Sequence, residues 1–377
     1  MSDSRRHVRD WLTLHLVPGI GPGMCARLVD HFGSPREVLA ADPPALLRVP
    51  GFGKKMLAAL AGQFASGQAA DEAAKEEERA RQLGIDLITL DDPAYPALLR
   101  TIHQPPVILY VKGVAAALDS PGLGVVGSRA ATSYGREVAG RLSYSLAQHG
   151  FTIISGLALG IDTEAHRGAL AAGGRTVAVL GCGLDIVYPA SNRDLFDAIP
   201  EAGALVSEYP LGTQPDGFRF PARNRIISGL GLGVVVVEAA KKSGSLITAE
   251  HALEQGREVF AIPGRVDSFK SAGTHGLLKQ GAKLVQTVDD ILEELPFVKT
   301  EKSSDNSLLS EERGDGPALA PDEEVVYRVL EVYPKTIDEI VRATAFQPQK
   351  VNGLLLHMEL KGVVDVLPGG SYKRATA

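Results

Sequence analysis

Between residues 82 and 297, short and nearly unbroken Val/Ile/Leu runs alternate with longer mixed stretches, and few architectures accept that pattern. The runs fall at 85–90, 107–111, 123–126, 152–154, 177–180, 204–206, 234–237 and 259–262. A strand that is apolar on both faces must be covered on both faces, which is the condition of a strand inside a parallel sheet. The intervening stretches at 134–149, 163–172, 192–199 and 247–255 have helical character and can supply the cover. The expected fold class is therefore α/β, with a doubly wound, mostly parallel sheet. Right-handed crossovers bring the strand C-termini of such a sheet to one edge, where ligands bind.

The flanking segments follow other patterns. Residues 8–67 read as short helices, and they contain a repeat: Val17-Pro18-Gly19-Ile20-Gly21 returns 32 residues later as Val49-Pro50-Gly51-Phe52-Gly53. Each copy leads into a helical run, at 24–31 and 54–64. This is the helix-hairpin-helix pattern, in which backbone amides near a helix N-terminus suit a phosphate. Two readings stand evenly, a grip on a DNA backbone and a packing module. Lys54 and Lys55 give the second copy a phosphate-seeking character that Met24 and Cys25 do not give the first.

Residues 298–320 are polar and acidic and read as a flexible linker. Beyond them, helices are expected at 322–332, at 337–345 with Thr336 as N-cap, and at 349–360 with Pro348 in the first turn. A hairpin over 363–374, turning at Pro368-Gly369-Gly370, completes a winged-helix pattern. Its third helix offers DNA only Lys350 and His357, which favours a protein-contact or dormant role over base reading. The expected domains are residues 1–80, 81–297 and 321–377, with 298–320 as the link.

A net charge of −6 does not advertise a polyanionic ligand. The acid is unevenly placed, however, and local fields decide phosphate contacts. Within 219–242 five basic residues, Arg219, Arg223, Arg225, Lys241 and Lys242, face one acid, Glu238. The two cysteines, Cys25 and Cys182, make neither a disulfide framework nor a metal-ligand spacing, so no metal is expected and a reducing compartment fits. No segment approaches the ~20 apolar residues of a spanning helix. A cytoplasmic protein without a membrane partner is expected.

The chemistry concentrates at the expected strand ends. Gly127-Ser128-Arg129 turns from a strand toward a helix, an arrangement that would cradle a phosphate with Arg129 above the helix N-terminus. A dinucleotide fingerprint is absent, since neither the third glycine nor the acid closing the next strand is in place. Asp162 and His166 share a helix face; helix capping by Asp162 with His166 packed beside it is favoured over acid–base catalysis, because no nucleophile accompanies them. Cys182, between two glycines, reads as a small buried residue before it reads as a nucleophile. Phe218-Arg219-Phe220-Pro221-Ala222-Arg223-Asn224-Arg225 interleaves rings, guanidinium groups and an amide. Such a mixture suits a single strand, whose phosphates can be forked and whose open bases can be stacked. The competing reading makes the phenylalanines core anchors and pairs the arginines with Glu208 or Glu238. Lys241-Lys242-Ser243-Gly244-Ser245 follows a buried strand like a degenerate phosphate loop, without the spacing for ATP hydrolysis.

Taken together, GSR at 127–129, SGLALGID at 155–162 with His166, YP at 188–189 with Asn192, SEYP at 207–210, FPARNRIISGL at 220–230, VVEAAKKSGSLITA at 236–249, PGR at 263–265 and GTH at 273–275 resemble the DNA-processing protein A (DprA/Smf) family. The resemblance covers the whole central segment and extends to both flanks. It implies an extended Rossmann core between a SAM-like helix-hairpin-helix domain and a winged helix. It also implies a non-catalytic, cofactor-free homodimer that binds single-stranded DNA, protects it, and loads the recombinase RecA onto strands covered by single-strand-binding protein during natural transformation. Carried over by position, the DNA contacts are Gly127, Ser128, Arg129, Phe220, Arg223, Asn224, Arg225, Lys242, Ser243 and Gly244, with Lys54 and Lys55 as a secondary contact. Two other classes compete. A nucleoside-monophosphate phosphoribohydrolase would need a P-G-G-x-G-T-x-x-E signature that is missing here, and an architectural duplex binder would rest on the hairpins and the winged helix.

Overall fold

The computed structural model describes residues 3–65, 67–295, 319–330, 335–367 and 371–374. The expected linker lies outside the described residues except for Leu319 and Ala320, as do the 368–370 turn and the end of the first winged-helix helix. The chain divides into two compact units, Met1–Thr300 and Glu301–Ala377.

The first unit is built on a nine-stranded sheet: β1 (Asp86–Thr89), β2 (Ile108–Gly113), β3 (Gly122–Val126), β4 (Thr152–Ser155), β5 (Thr176–Val179), β6 (Ala204–Ser207), β7 (Gly233–Val236), β8 (Glu258–Ala261) and β9 (Lys283–Leu284). Their order is β1-β2-β6-β5-β4-β3-β7-β8-β9. From β6 to β9 all pairs are parallel, and β1 and β2 join antiparallel. The eight apolar runs all become strands, while the two-residue β9, polar at Lys283, lies below what periodicity can detect.

Side-chain alternation divides the core in two. Val126, Val234 and Val236 pack with Ile226, Ile227 and Ala249 on one face, beneath the Arg219–Leu230 and Gly244–Glu254 helices. Leu123, Val125, Val235 and Val237 pack on the other with Val138, Leu142 and Ala165 of the Ser133–Gln148 and Ile161–Ala171 helices. The chain winds from β3 through β4 and β5 to β6 in one direction, then crosses to β7 on the other side of β3. The switch point therefore lies between β3 and β7, whose last residues, Val126 and Val236, sit in register.

The helical segment shares its core with the sheet: Trp11, Leu12, Leu28 and Phe52 belong to one cluster with Ile108, Tyr110 and Leu205. Trp11 Nε1 also donates to Asp91 Oδ1 at 2.9 Å. Both hairpin turns adopt the same left-handed glycine conformation, with φ of +84° at Gly19 and +85° at Gly51, so the sequence repeat is a structural one.

Among its described residues the second unit has three helices, Pro321–Val329, Ile337–Thr344 and Pro348–Leu360, and three strands, β10 (Lys335–Thr336), β11 (Val364–Leu367) and β12 (Ser371–Arg374), in the order β10-β12-β11. Thr336 is the N-cap residue of its helix, with its amide and hydroxyl both donating to Glu339 Oε2 at 2.7 and 2.8 Å, and Pro348 opens the third helix.

Candidate nucleic-acid interface

The turn after β3 departs from its expected role. Ser128 N donates to the Glu238 carbonyl at 2.8 Å, tying the ends of β3 and β7 together. The Glu238 carboxylate then accepts from Thr132 N and from Thr132 Oγ1, at 3.2 and 2.5 Å. It thereby occupies the N-terminus of the Ser133–Gln148 helix, where a phosphate was expected. Gly135 makes room for it, since a Cβ there would stand 2.7 Å from Glu238 Oε2. An internal anion has taken the helix end, and the turn offers a ligand only its exposed side of Ser128 and Arg129.

The helix N-terminus that opens to solvent is that of Gly244–Glu254. Ser243 is its N-cap and accepts from Ser245 N, while Gly244 stays exposed. Two lysines, Lys241 and Lys242, precede it and are exposed. Backbone amides, hydroxyls and ammonium groups thus converge on one anion-binding corner.

The 218–225 segment, left without secondary structure by its sequence, is helical from Arg219 onward, and the helix sorts its residues by function. Phe218 is exposed and Phe220 half-buried, so neither is a core anchor. Phe220 stacks on Tyr188 with ring centroids 5.5 Å apart at 21°, and the Arg129 guanidinium lies 5.1 Å above the Phe220 ring. Asn224 Nδ2 donates to the Gly244 carbonyl at 3.2 Å, bracing the anion corner.

Arg223 is 4% exposed and donates to the carbonyls of Gly156, at 2.8 Å, and Val179. It stitches the ends of β4 and β5 together. Desolvation lowers its pKa to about 10, so it remains charged at neutral pH. Arg225, expected among the contacts, is engaged elsewhere in this structure. Its guanidinium forms a 2.6 Å ion pair with buried Glu208, and it is not among the residues that line the cleft described below. The reading that paired an arginine with Glu208 holds for this residue, because two positions along a helix is a rotation of about 200° and turns its side chain to a different neighbour from that of Arg223.

The remaining groups line a single open cleft of about 790 Å³ at the switch point. Gly127, Ser128 and Arg129 form one wall, Tyr188, Phe220, Arg223 and Asn224 another, and Lys242, Ser243, Gly244 and Ser245 the third. Rings, cations and open amides therefore face one space.

Residues 86–296 match the family described as DNA recombination-mediator protein A, 310–370 its winged-helix domain, and 12–61 a SAM-like tandem helix-hairpin-helix. This chain belongs to the DprA/Smf family. It is 36% identical to Protein Smf of Synechocystis across 97% of this chain and 98% of that one. The solved DprA of Streptococcus pneumoniae superposes with a TM-score of 0.67 at 35% identity, covering 77% of this chain and 97% of that one. A DNA processing protein A from Helicobacter pylori, solved for its single-stranded DNA binding mode, matches with a TM-score of 0.51 at 31% identity, covering 56% and 96%. A member of this family is a recombination mediator and not an enzyme.

Seen as a DprA/Smf protein, the other singled-out residues fall into structural roles. Asp162 Oδ2 accepts from Gly156 N at 3.1 Å and Ala158 N at 3.4 Å, so it caps the preceding loop and not its own helix. His166 is buried; its Nε2 accepts from Leu157 N at 3.3 Å, leaving Nδ1 to donate to Thr176 Oγ1 at 2.7 Å. Burial pushes its pKa down to about 3, which keeps the ring neutral. Cys182 is buried, and burial raises its thiol to about 11. Lys54 and Lys55 are exposed in the first turn of the Lys54–Ala65 helix, outside the residues that line the cleft. In the winged helix, Lys350 pairs with Asp322 at 2.7 Å and His357 contacts Glu323 at 3.3 Å. Among the described residues no group of three or more His, Cys, Asp or Glu could hold a metal, and no helix is long and apolar enough to cross a membrane. Sequence reasoning missed Tyr188 as a site residue; its signal was a Tyr-Pro pair just beyond a strand end.

Proposed function

We propose that this DprA/Smf protein binds single-stranded DNA in the switch-point cleft as a recombination mediator serving natural transformation. The observation that carries the reading is the Arg129–Phe220–Tyr188 stack beside the open N-terminus of the Gly244–Glu254 helix. A duplex buries its base faces, so an aromatic platform next to a phosphate corner favours an unpaired strand. The likeness to the Helicobacter pylori protein supports the same ligand. The contact residues in this reading are Gly127, Ser128, Arg129, Phe220, Asn224, Lys242, Ser243 and Gly244, with Arg223 holding the floor and Lys54 and Lys55 available to the trailing backbone.

The strand so held is protected and handed to RecA, with single-strand-binding protein as the competing occupant, inside the cytoplasm. Homodimerisation is supported by exposed Leu284 (44%) on the two-residue β9, the strand that ends the ladder. Competition of oligo-dT against duplex at several salt concentrations tests the ligand. Preference for the single strand is expected, and equal or stronger duplex binding overturns the reading.

A further inference from the structure

Among the described residues of the first unit, the two most exposed large apolar side chains are Val266, 94% exposed, and Phe269, 74% exposed. Both stand on the 263–271 loop that follows β8, on the same sheet edge as the cleft. An unconstrained loop would fold such groups inward. This one is braced from several sides. Lys270 Nζ donates to the Ala130 carbonyl at 2.5 Å, and Tyr134 Oη donates to the Pro263 carbonyl at 3.3 Å. His275 Nε2 lies 3.1 Å from the Gly264 carbonyl, and Arg265 makes a two-pronged pair with Asp267 at 3.1 and 3.0 Å. Gly264 lies so close to Ser271 that a Cβ would come within 2.1 Å of its Oγ. The loop is therefore fixed to the segment just after Arg129, and its apolar groups are held outward.

Between this loop and the lysine pair lies a hollow of about 550 Å³, lined by Lys241, Lys242, Val266 and Phe269. Lys242 lines the main cleft as well, so the two spaces adjoin. The loop and residues 240–242 carry four cations, Lys241, Lys242, Arg265 and Lys270, against one carboxylate, Asp267, while Glu238 just before them is buried against Thr132. A protein-binding patch of the apolar kind is depleted in lysine, whereas a ring among lysines suits a polynucleotide.

We propose that Phe269 is a second base-stacking station. A single strand leaving the cleft past Lys242 lays its next base on Phe269, against Val266, while Lys241 takes the adjoining phosphate. This inference rests on the single-strand reading of the cleft, and it adds a direction of travel, from β3 across β7 to β8.

The test is a length series of oligo-dT from about 4 to about 16 nucleotides, the span of site sizes for such grooves. Phe269→Ala should leave the shortest oligomer unaffected and weaken the longest about tenfold. Phe269→Trp should retain binding and lose emission when the long oligomer saturates it, with the unmodified protein, whose one tryptophan is the buried Trp11, as background. Unchanged affinity of Phe269→Ala at every length, together with unaltered emission of Phe269→Trp, would overturn the second station. A loss of self-association with no change in DNA affinity would also overturn it, making the loop a protein contact. Arg129→Ala separates the two readings: if it weakens every length while Phe269→Ala weakens none, the cleft stands and the station falls. If the unmodified protein binds no oligomer at any length, both fall.

Discussion

Two arginines that look interchangeable in the sequence, Arg129 and Arg225, have different jobs, and each is testable. Arg129 is exposed over Phe220, so Arg129→Ala should lower oligo-dT affinity about tenfold and leave the thermal midpoint unchanged. Arg225→Ala should do the reverse. It strands the Glu208 carboxylate, which is buried and already pushed upward in pKa by desolvation, at a cost of about 3 kcal/mol by denaturant titration, with DNA affinity kept. Two buried histidines make stability depend on pH. Desolvation lowers His166 to about 3 and His15 to about 4 from an ordinary 6.5, so the folded state favours their neutral forms. Unfolded histidine binds a proton below pH 6.5, so the stabilisation is complete above that value and declines on acidification through the folded pKa values. The loss should be about 1.4 kcal/mol per pH unit for each ring, read by chemical denaturation between pH 6.5 and 4.5. A flat profile over that window would show that the rings are hydrated.

At the scale of the element, the cleft depends on close approach of backbones. Gly160 has φ +79°, and a Cβ on it would lie 2.3 Å from the Ser128 carbonyl oxygen and 2.6 Å from that of Arg129. This glycine lets the start of the Ile161–Ala171 helix press against the 127–129 turn, where Ile161 N donates to Ser128 O at 3.3 Å. Gly160→Ala should therefore move Arg129 off Phe220 and reduce stability and DNA affinity together, the stability by about 1–3 kcal/mol. A variant with lowered stability but full affinity would show that the turn is positioned from elsewhere. In the second unit, Glu323 is held at about pKa 2, first by the Lys361 ammonium and then by the Ala320 amide. A depressed carboxylate lends stability above its ordinary pKa of 4.5 and loses it as pH falls toward 2, so the winged helix should loosen in that range, as hydrogen exchange would report.

For the whole molecule, a net charge of −6 and the proposed affinity for polyanions are reconciled by placement. Acidic residues crowd the Gln68–Gln82 helix and the stretch after 300, while the cleft keeps its cations. Of the three that line it, Arg129 and Lys242 are exposed to a short oligomer, whereas Arg223 is buried. The oligomer's log affinity should fall against log salt with a slope of about −1.4, two contacts at about 0.7 each. A slope near zero would mean that stacking and backbone amides hold the strand without counterion release.

The sequence by itself determined the layers of this protein. Uninterrupted apolar runs allow strands buried on both faces and little else, and the duplicated Pro-Gly turns and the spacing of helices before a hairpin mark the two flanks. It also determined the chemistry at the cleft, because rings, arginines and a Gly-Ser-Arg turn are visible without coordinates. Only the tertiary structure decided how that chemistry is used. Which helix end receives an outside anion depended on the fold of Glu238 back onto Thr132, 106 positions away. Which partner each of Arg223 and Arg225 takes depended on the helical phase of 219–230 against two different neighbours. The physical reason is the same in both cases: local patterning sets what a segment can bury, whereas the pairing of charges is settled by partners distant in the chain, which composition and periodicity cannot see.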